Sequence, residues 1–197
     1  MMPRDELRAR LVKGAGDIFY RDGIAATGTA GLARELGISK RTMYELFPSK
    51  DDLVAAALSA RDEPVRAGLI AAAARAGDGP REQLIGLFAG VEALWGDEEF
   101  RGCPFLNAMS ELADPGHPAH AVCHGHKEEL RRWMERTARR ARLRSPRALS
   151  DQLMMLLDGA LAGAAARRPR RGTLEAAART LVEAATPPAR ATDRATG

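Results

Sequence analysis

The stretch "LARELGISKRTMYELFPSKDDL", residues 32–53, decides the fold. Leu32, Ala33 and Leu36 fall on one face of a helix, which Gly37 breaks. Ser39 is then placed to cap a short second helix. That helix must stop before Pro48, because a proline pushes the residue ahead of it out of helical angles. Met43 and Phe47, four apart, turn inward with Ile38, which leaves Lys40, Arg41, Thr42 and Tyr44 on the outside. Ser49 caps the following helix, with Asp51 and Asp52 in its first turn, where the helix dipole favours negative charge.

Two short helices joined by a tight glycine turn have the layout of a helix-turn-helix, whose second helix enters the major groove of DNA. The outward residues suit that role. Cations and hydroxyls bind phosphates, and an arginine can make two hydrogen bonds to a guanine. Lys50, beside the free backbone amides that open the next helix, makes a second anion site. On spacing alone, a solvated surface helix carrying the same basic residues is the alternative.

Upstream, a helix is predicted from about Arg4 to Arg21, with Leu7, Leu11, Ala15, Ile18 and Phe19 on one face. The "DGI" at 22–24 ends it, and Thr27 can cap the helix that follows. Downstream, helical composition continues. Helices are predicted over 50–76, with a possible break at Pro64, then 80–96, 104–113, 118–143, 146–167 and 173–185. Asp78 and Ser145 are polar caps ahead of Pro80 and Pro146. "ADPGHP" at 113–118 reads as a loop, and 186–197 as a disordered tail. No convincing strand or internal repeat occurs. The fold class is therefore all-α: an N-terminal three-helix helix-turn-helix DNA-binding domain over 1–50, then a larger helical domain over 51–185.

Composition is compatible with this. The chain has 197 residues, 45% of them hydrophobic, enough to bury a core. No stretch approaches the roughly 18 apolar residues of a membrane span, and the first residues mix charges with apolar positions unlike a signal peptide. A cytoplasmic protein with no membrane partner is expected. Cys103 and Cys123 are too few for a disulfide scaffold. A net charge of +4 permits a polyanionic partner without demanding one, since 30 basic residues face 26 acidic ones.

The segment from Arg8 to Leu58 resembles the DNA-binding domain of the TetR family of transcriptional regulators, through "FYRDGIAAT" at 19–27 and the run of Gly37, Ser39, Lys40, Thr42, Tyr44, Phe47, Lys50 and Leu53. The resemblance implies operator contact by Thr27, Lys40, Arg41, Thr42, Tyr44 and Lys50. Arg41 is then the base reader, while Tyr44 and Lys50 hold phosphates. Three positions depart from the family pattern: Gly28 stands where Ser or Thr is usual, Gly31 where an acid is common, and Leu46 in place of a frequent His. Each glycine weakens its helix by ~1 kcal/mol.

The same resemblance implies that the later helices bind a small-molecule effector and form a homodimer. The stretch "FRGCPFLNAMSELADPGHPAHAVCHGHKEEL" at 100–130 is similar to a pattern in one subset of these regulators. Large apolar side chains on converging helices are pocket candidates: Phe88, Trp95, Phe105, Met109, Trp133, Met154 and Met155. Asn107, Glu111 and His124 can add polar contacts, although plain core packing explains the apolar ones equally well. Small residues among leucines over 146–167, with Leu174, Ala178, Leu181 and Val182, suit a four-helix contact between subunits.

All four histidines and both cysteines lie between 103 and 126. His120, Cys123 and His124 share a helix face, which raises a metal- or thiol-responsive regulator as the alternative. Eight arginines between 131 and 147 read as a solvated face paired with Glu128, Glu129 and Glu135. No HExxH, GxSxG or phosphate loop is found, so neither an enzyme nor a cofactor is expected. The expected function is a repressor that binds a palindromic operator as a homodimer and is released by its effector.

Overall fold

A computed structural model describes residues 3–163 and 169–188 of the chain. The described residues form α-helices and no strand, in the order α1 (Arg4–Asp22), α2 (Thr29–Glu35), α3 (Lys40–Leu46), α4 (Lys50–Arg75), α5 (Pro80–Leu94), α6 (Pro104–Glu111), α7 (Pro118–Arg140), α8 (Pro146–Gly163) and α9 (Thr173–Ala184). None is long and apolar enough to cross a membrane. The end of the helix expected to reach 167, and all but 186–188 of the expected tail, lie outside the described residues.

The N-terminal helices close over Leu11, Ala15, Ile18, Leu32, Met43, Phe47, Leu53 and Val54, all buried. Met43 and Phe47 face inward as their spacing requires, and Ile38 packs against them partly buried. Helix α3 is capped by Ser39, whose hydroxyl accepts from the Thr42 N–H, and α4 by Ser49, which accepts from the Asp52 N–H. Two expected caps differ. Gly28 occupies the cap position of α2, and the buried Thr27 instead donates its hydroxyl to the Gly23 carbonyl at 2.6 Å. Gly79, not Asp78, precedes α5. In both cases the capping position falls one residue later than expected and carries no side chain that could accept a bond.

Helix α4 links the two halves. It packs on α1 near its start and on α5 and α7 along its length, and it runs through Pro64 without a break. Helices α4 and α5 approach closely because α5 presents Gly86 and Gly90 to Ala72, Ala73 and Ala76; a Cβ on Gly90 would sit 2.6 Å from that of Ala72. Helices α7, α8 and α9 complete the bundle, with Phe88, Phe105, Leu130, Met134, Leu153 and Leu157 at its centre. Glu92 of α5 accepts the N–H groups of Gly172 and Leu174 at 2.7 and 2.6 Å, satisfying amides at the start of α9 that no local side chain reaches.

Candidate nucleic-acid interface and open cavity

The outer face of α3 is built by its own periodicity. With Met43 and Phe47 buried behind it, Lys40, Arg41 and Tyr44 are exposed and Thr42 is half-buried. Tyr44 keeps 45% of its surface in solvent. Arg41 is tied along the helix to Glu45 at 2.8 Å, which holds its guanidinium firmly protonated. Thr42 shares a 2.8 Å hydroxyl contact with Ser39. The position of α3 is fixed from outside as well: Arg4 donates to the Glu45 carbonyl, and the Arg8 guanidinium lies 4.6 Å over the Phe47 ring.

Lys50 and Thr27 stand differently from the other four positions expected at the interface. The Lys50 ammonium donates to the Ile24 carbonyl at 2.5 Å, and Thr27 is buried beneath the same turn. A third group holds this turn from the larger half: the Glu111 carboxylate accepts the Ala25 N–H at 2.8 Å. The Tyr20 hydroxyl donates to the Gly102 carbonyl at 2.9 Å and accepts the Arg101 N–H at 2.8 Å, and Arg101 donates onward to the Arg21 carbonyl. Burial raises the Tyr20 pKa, so the phenol stays protonated and able to donate.

The 100–104 segment reached by Tyr20 is also one wall of a cavity of about 480 Å³ between α4, α5 and α7. That volume is within the range of small-molecule sites. Among its lining residues are Tyr20, Arg61, Val65, Leu69, His126 and Lys127. None of the ten side chains expected around a ligand lines it, although Trp95 and Met155 border a separate opening of about 340 Å³ beside α8 and α9. Phe88, Phe105, Trp95 and Met154 are buried in the bundle core, Trp133 and Met109 are partly buried, and His124 and Met155 are exposed. Asn107 donates to the Arg101 carbonyl, and with Glu111 it borders a separate crevice of only about 20 Å³. The reason is geometric: large apolar side chains fill space, whereas a cavity opens where side chains are small. A Cβ added to Gly68 would meet nothing within 4 Å. The small residues Gly68 on α4 and Ala93 on α5 were the available signal in the sequence.

His126 is the most enclosed polar group of the cavity wall, 1% exposed. Its ring stacks on Phe105 at 3.7 Å, and Nδ1 meets Asp62 Oδ1 at 2.8 Å. Burial lowers the His126 pKa, and the bond to Asp62 opposes this without cancelling it. The neutral imidazole then donates from Nδ1 to the carboxylate. Burial acts to raise the Asp62 pKa, but hydrogen bonds from His126 and Arg66 outweigh it, and the carboxyl group ends below its ordinary value.

The histidine and cysteine cluster does not converge. His120 Nε2 lies 2.9 Å from the Leu112 carbonyl, and its ring centroid is 6.4 Å from that of His124. Among the described residues no group of three His, Cys, Asp or Glu side chains could hold a metal ion. Cys123 is fully buried and its thiol is pushed up to about 11, chiefly by burial, so the reactive thiolate is scarce. Three of the five arginines of α7 are paired: Arg131 with Glu128 and Glu135, Arg132 with Glu128 and Glu129, and Arg139 with Glu135. The Glu128 carboxyl falls to about 2, first through its bond from Arg131.

The sequence model of the family described as "Bacterial regulatory proteins, tetR family" matches residues 11–57, the helix-turn-helix and its supporting helices. Over its length the chain is similar to a tetR-type transcriptional regulator from Streptomyces avermitilis, with 36% identity, 91% of this chain and 97% of that chain covered, and a TM-score of 0.83. A TetR-family transcriptional regulator from Streptomyces coelicolor is 30% identical, with 92% and 94% covered and a TM-score of 0.76. A TetR-family regulator from Agrobacterium tumefaciens shares the fold at 22% identity, with a TM-score of 0.77 over 94% of this chain and all of that one.

Proposed function

As the chain belongs to the TetR family of bacterial transcriptional regulators, we propose that it is a homodimeric repressor that binds a palindromic operator and is released by a small molecule held in the 480 Å³ cavity. The observation that carries the DNA-binding part is the outer face of α3, where Lys40, Arg41 and Tyr44 are exposed on a helix whose back is locked by Met43 and Phe47. Lys40 and Tyr44 bind phosphates in this reading. Arg41 reads a base edge after exchanging Glu45 for the nucleic acid, with Thr42 beside it. Lys50 and Thr27 serve by fixing the turn at 23–27, which sets the height of α2 and α3.

Release follows from the shared wall. Phe100, Gly102, Cys103 and Pro104 line the cavity, and the same segment holds α1 through Tyr20 and Arg101, while Glu111 of α6 holds the Ala25 amide. A ligand that prefers a displaced 100–104 segment turns the two N-terminal units away from successive major grooves, which lie about 34 to 36 Å apart. With a coupling of about 1–3 kcal/mol, operator affinity falls about 5- to 150-fold.

The test is fluorescence anisotropy of the purified protein on the DNA upstream of its own gene, against a random duplex, across a salt series. Selective binding that weakens steeply with salt, and that is lost in a Lys40→Ala, Tyr44→Phe double variant of unchanged melting temperature, supports the reading. A genome-wide selection that returns no preferred site would sink it.

A further inference from the structure

The charge pattern of the cavity is not explained by its apolar walls. One face of α4 from Arg61 to Arg75 forms the long wall, about 21 Å of helix at 1.5 Å per residue. Between those ends the wall is apolar, through Val65, Gly68, Leu69 and Ala72. Arg61 and Lys127 border one end and Arg75 the other, and among the described residues no aspartate or glutamate is part of the lining. The counter-ions of the inner pair, Asp17 for Arg61 and Asp158 for Lys127, are not part of the lining. Arg75 has no ion partner among the described residues. The side chains of Lys127 and Arg61 are only 15% and 26% exposed, so water screens them weakly. His126, neutral and committed to Asp62 through Nδ1, adds no opposing charge.

A wholly apolar ligand would cover the N–H groups that Arg61 and Lys127 do not spend on Asp17 and Asp158 and give them no acceptor, and a cationic ligand would meet cations alone along the lining. An anionic head on an apolar body satisfies both parts of the lining, through charge-assisted bonds to cations already held in place. We propose that the cavity takes an elongated amphipathic carboxylate, its head between Arg61 and Lys127 and its apolar chain along α4 towards Arg75. This rests on the reading of the cavity as the effector site and names the chemical class of the effector.

Isothermal titration calorimetry of the full chain without DNA separates this inference from the regulator reading, which DNA binding tests by itself. The probes are decanoate, decan-1-ol and decylamine, which share a chain and differ in head charge. Decanoate should bind at least about tenfold more tightly than the alcohol, and the amine should give no binding heat. Lys127→Gln should bring decanoate down to the level of the alcohol while Lys127→Arg retains the preference. Gly68→Leu, which puts a side chain into open space on a helical position, should abolish decanoate binding at an unchanged or higher melting temperature. Absent decanoate binding, equal binding of the three probes, or undiminished binding to Gly68→Leu would each overturn the proposal.

Discussion

At the scale of single residues, His126 shows how burial turns a common side chain into a pH-dependent one. Its pKa in the fold lies below the ordinary 6.5, so the folded protein holds it neutral while the unfolded chain takes up a proton first as pH falls. The stability it contributes is therefore fully present above about pH 6.5 and is lost as pH falls from there through the folded value. Asp62 shifts downward from 3.8 and changes nothing until far more acid conditions. Thermal melts should show a larger drop between about pH 7.5 and about pH 5.5 for the unaltered protein than for His126→Gln. An equal drop in both would remove His126 as the cause. The same residue was legible in the sequence only as one of four clustered histidines. Its partner Asp62 is 64 positions away, and no local pattern joins them.

At the scale of the element, α3 has seven residues, too few to be stable in isolation. It depends on the Met43 and Phe47 packing, on the Ser39 cap, and on Gly37 at φ +66°, a backbone angle that a side chain would strain. Ser39→Ala removes the acceptor for the Thr42 N–H and should cost about 1 kcal/mol. Because that loss falls on the helix that meets DNA, operator affinity should weaken several-fold in anisotropy, and Ser39→Asn should restore most of it. This element was fully legible, since its caps, breaker and inward pair are all local. Gly102 was not. It adopts φ +81°, and a Cβ there would meet the Leu161 carbonyl, a close approach set by α8 rather than by its sequence neighbours.

At the scale of the whole molecule, α8 leaves part of its surface uncovered among the described residues, beside Trp95 and the start of α9. Met155 is 76% exposed, and a Cβ on Gly159 or Gly163 would meet nothing within 4 Å. The closely packed small residues inside the subunit are instead Gly86 and Gly90 of α5. An apolar, glycine-bearing helix face left open suits self-association through α8 and α9 around a two-fold axis. Met155→Arg should convert a dimer into a monomer in sedimentation velocity and abolish binding to a two-half-site operator, with the monomer still folded by circular dichroism. A variant that stays dimeric would place the subunit contact elsewhere.

The sequence by itself determined the all-helical class, the helix-turn-helix, the inward and outward faces of α3, the caps of α3 and α4 and the paired arginines of α7. All of these rest on periodicity and on neighbours within four residues. Tertiary structure alone decided where the cavity lies, that Glu92 caps α9 from α5, and that Tyr20, Arg101 and Glu111 join the two halves. The large side chains Phe88, Phe105 and Met154 marked the core because volume fills space, and an opening is defined by what several distant helices leave vacant.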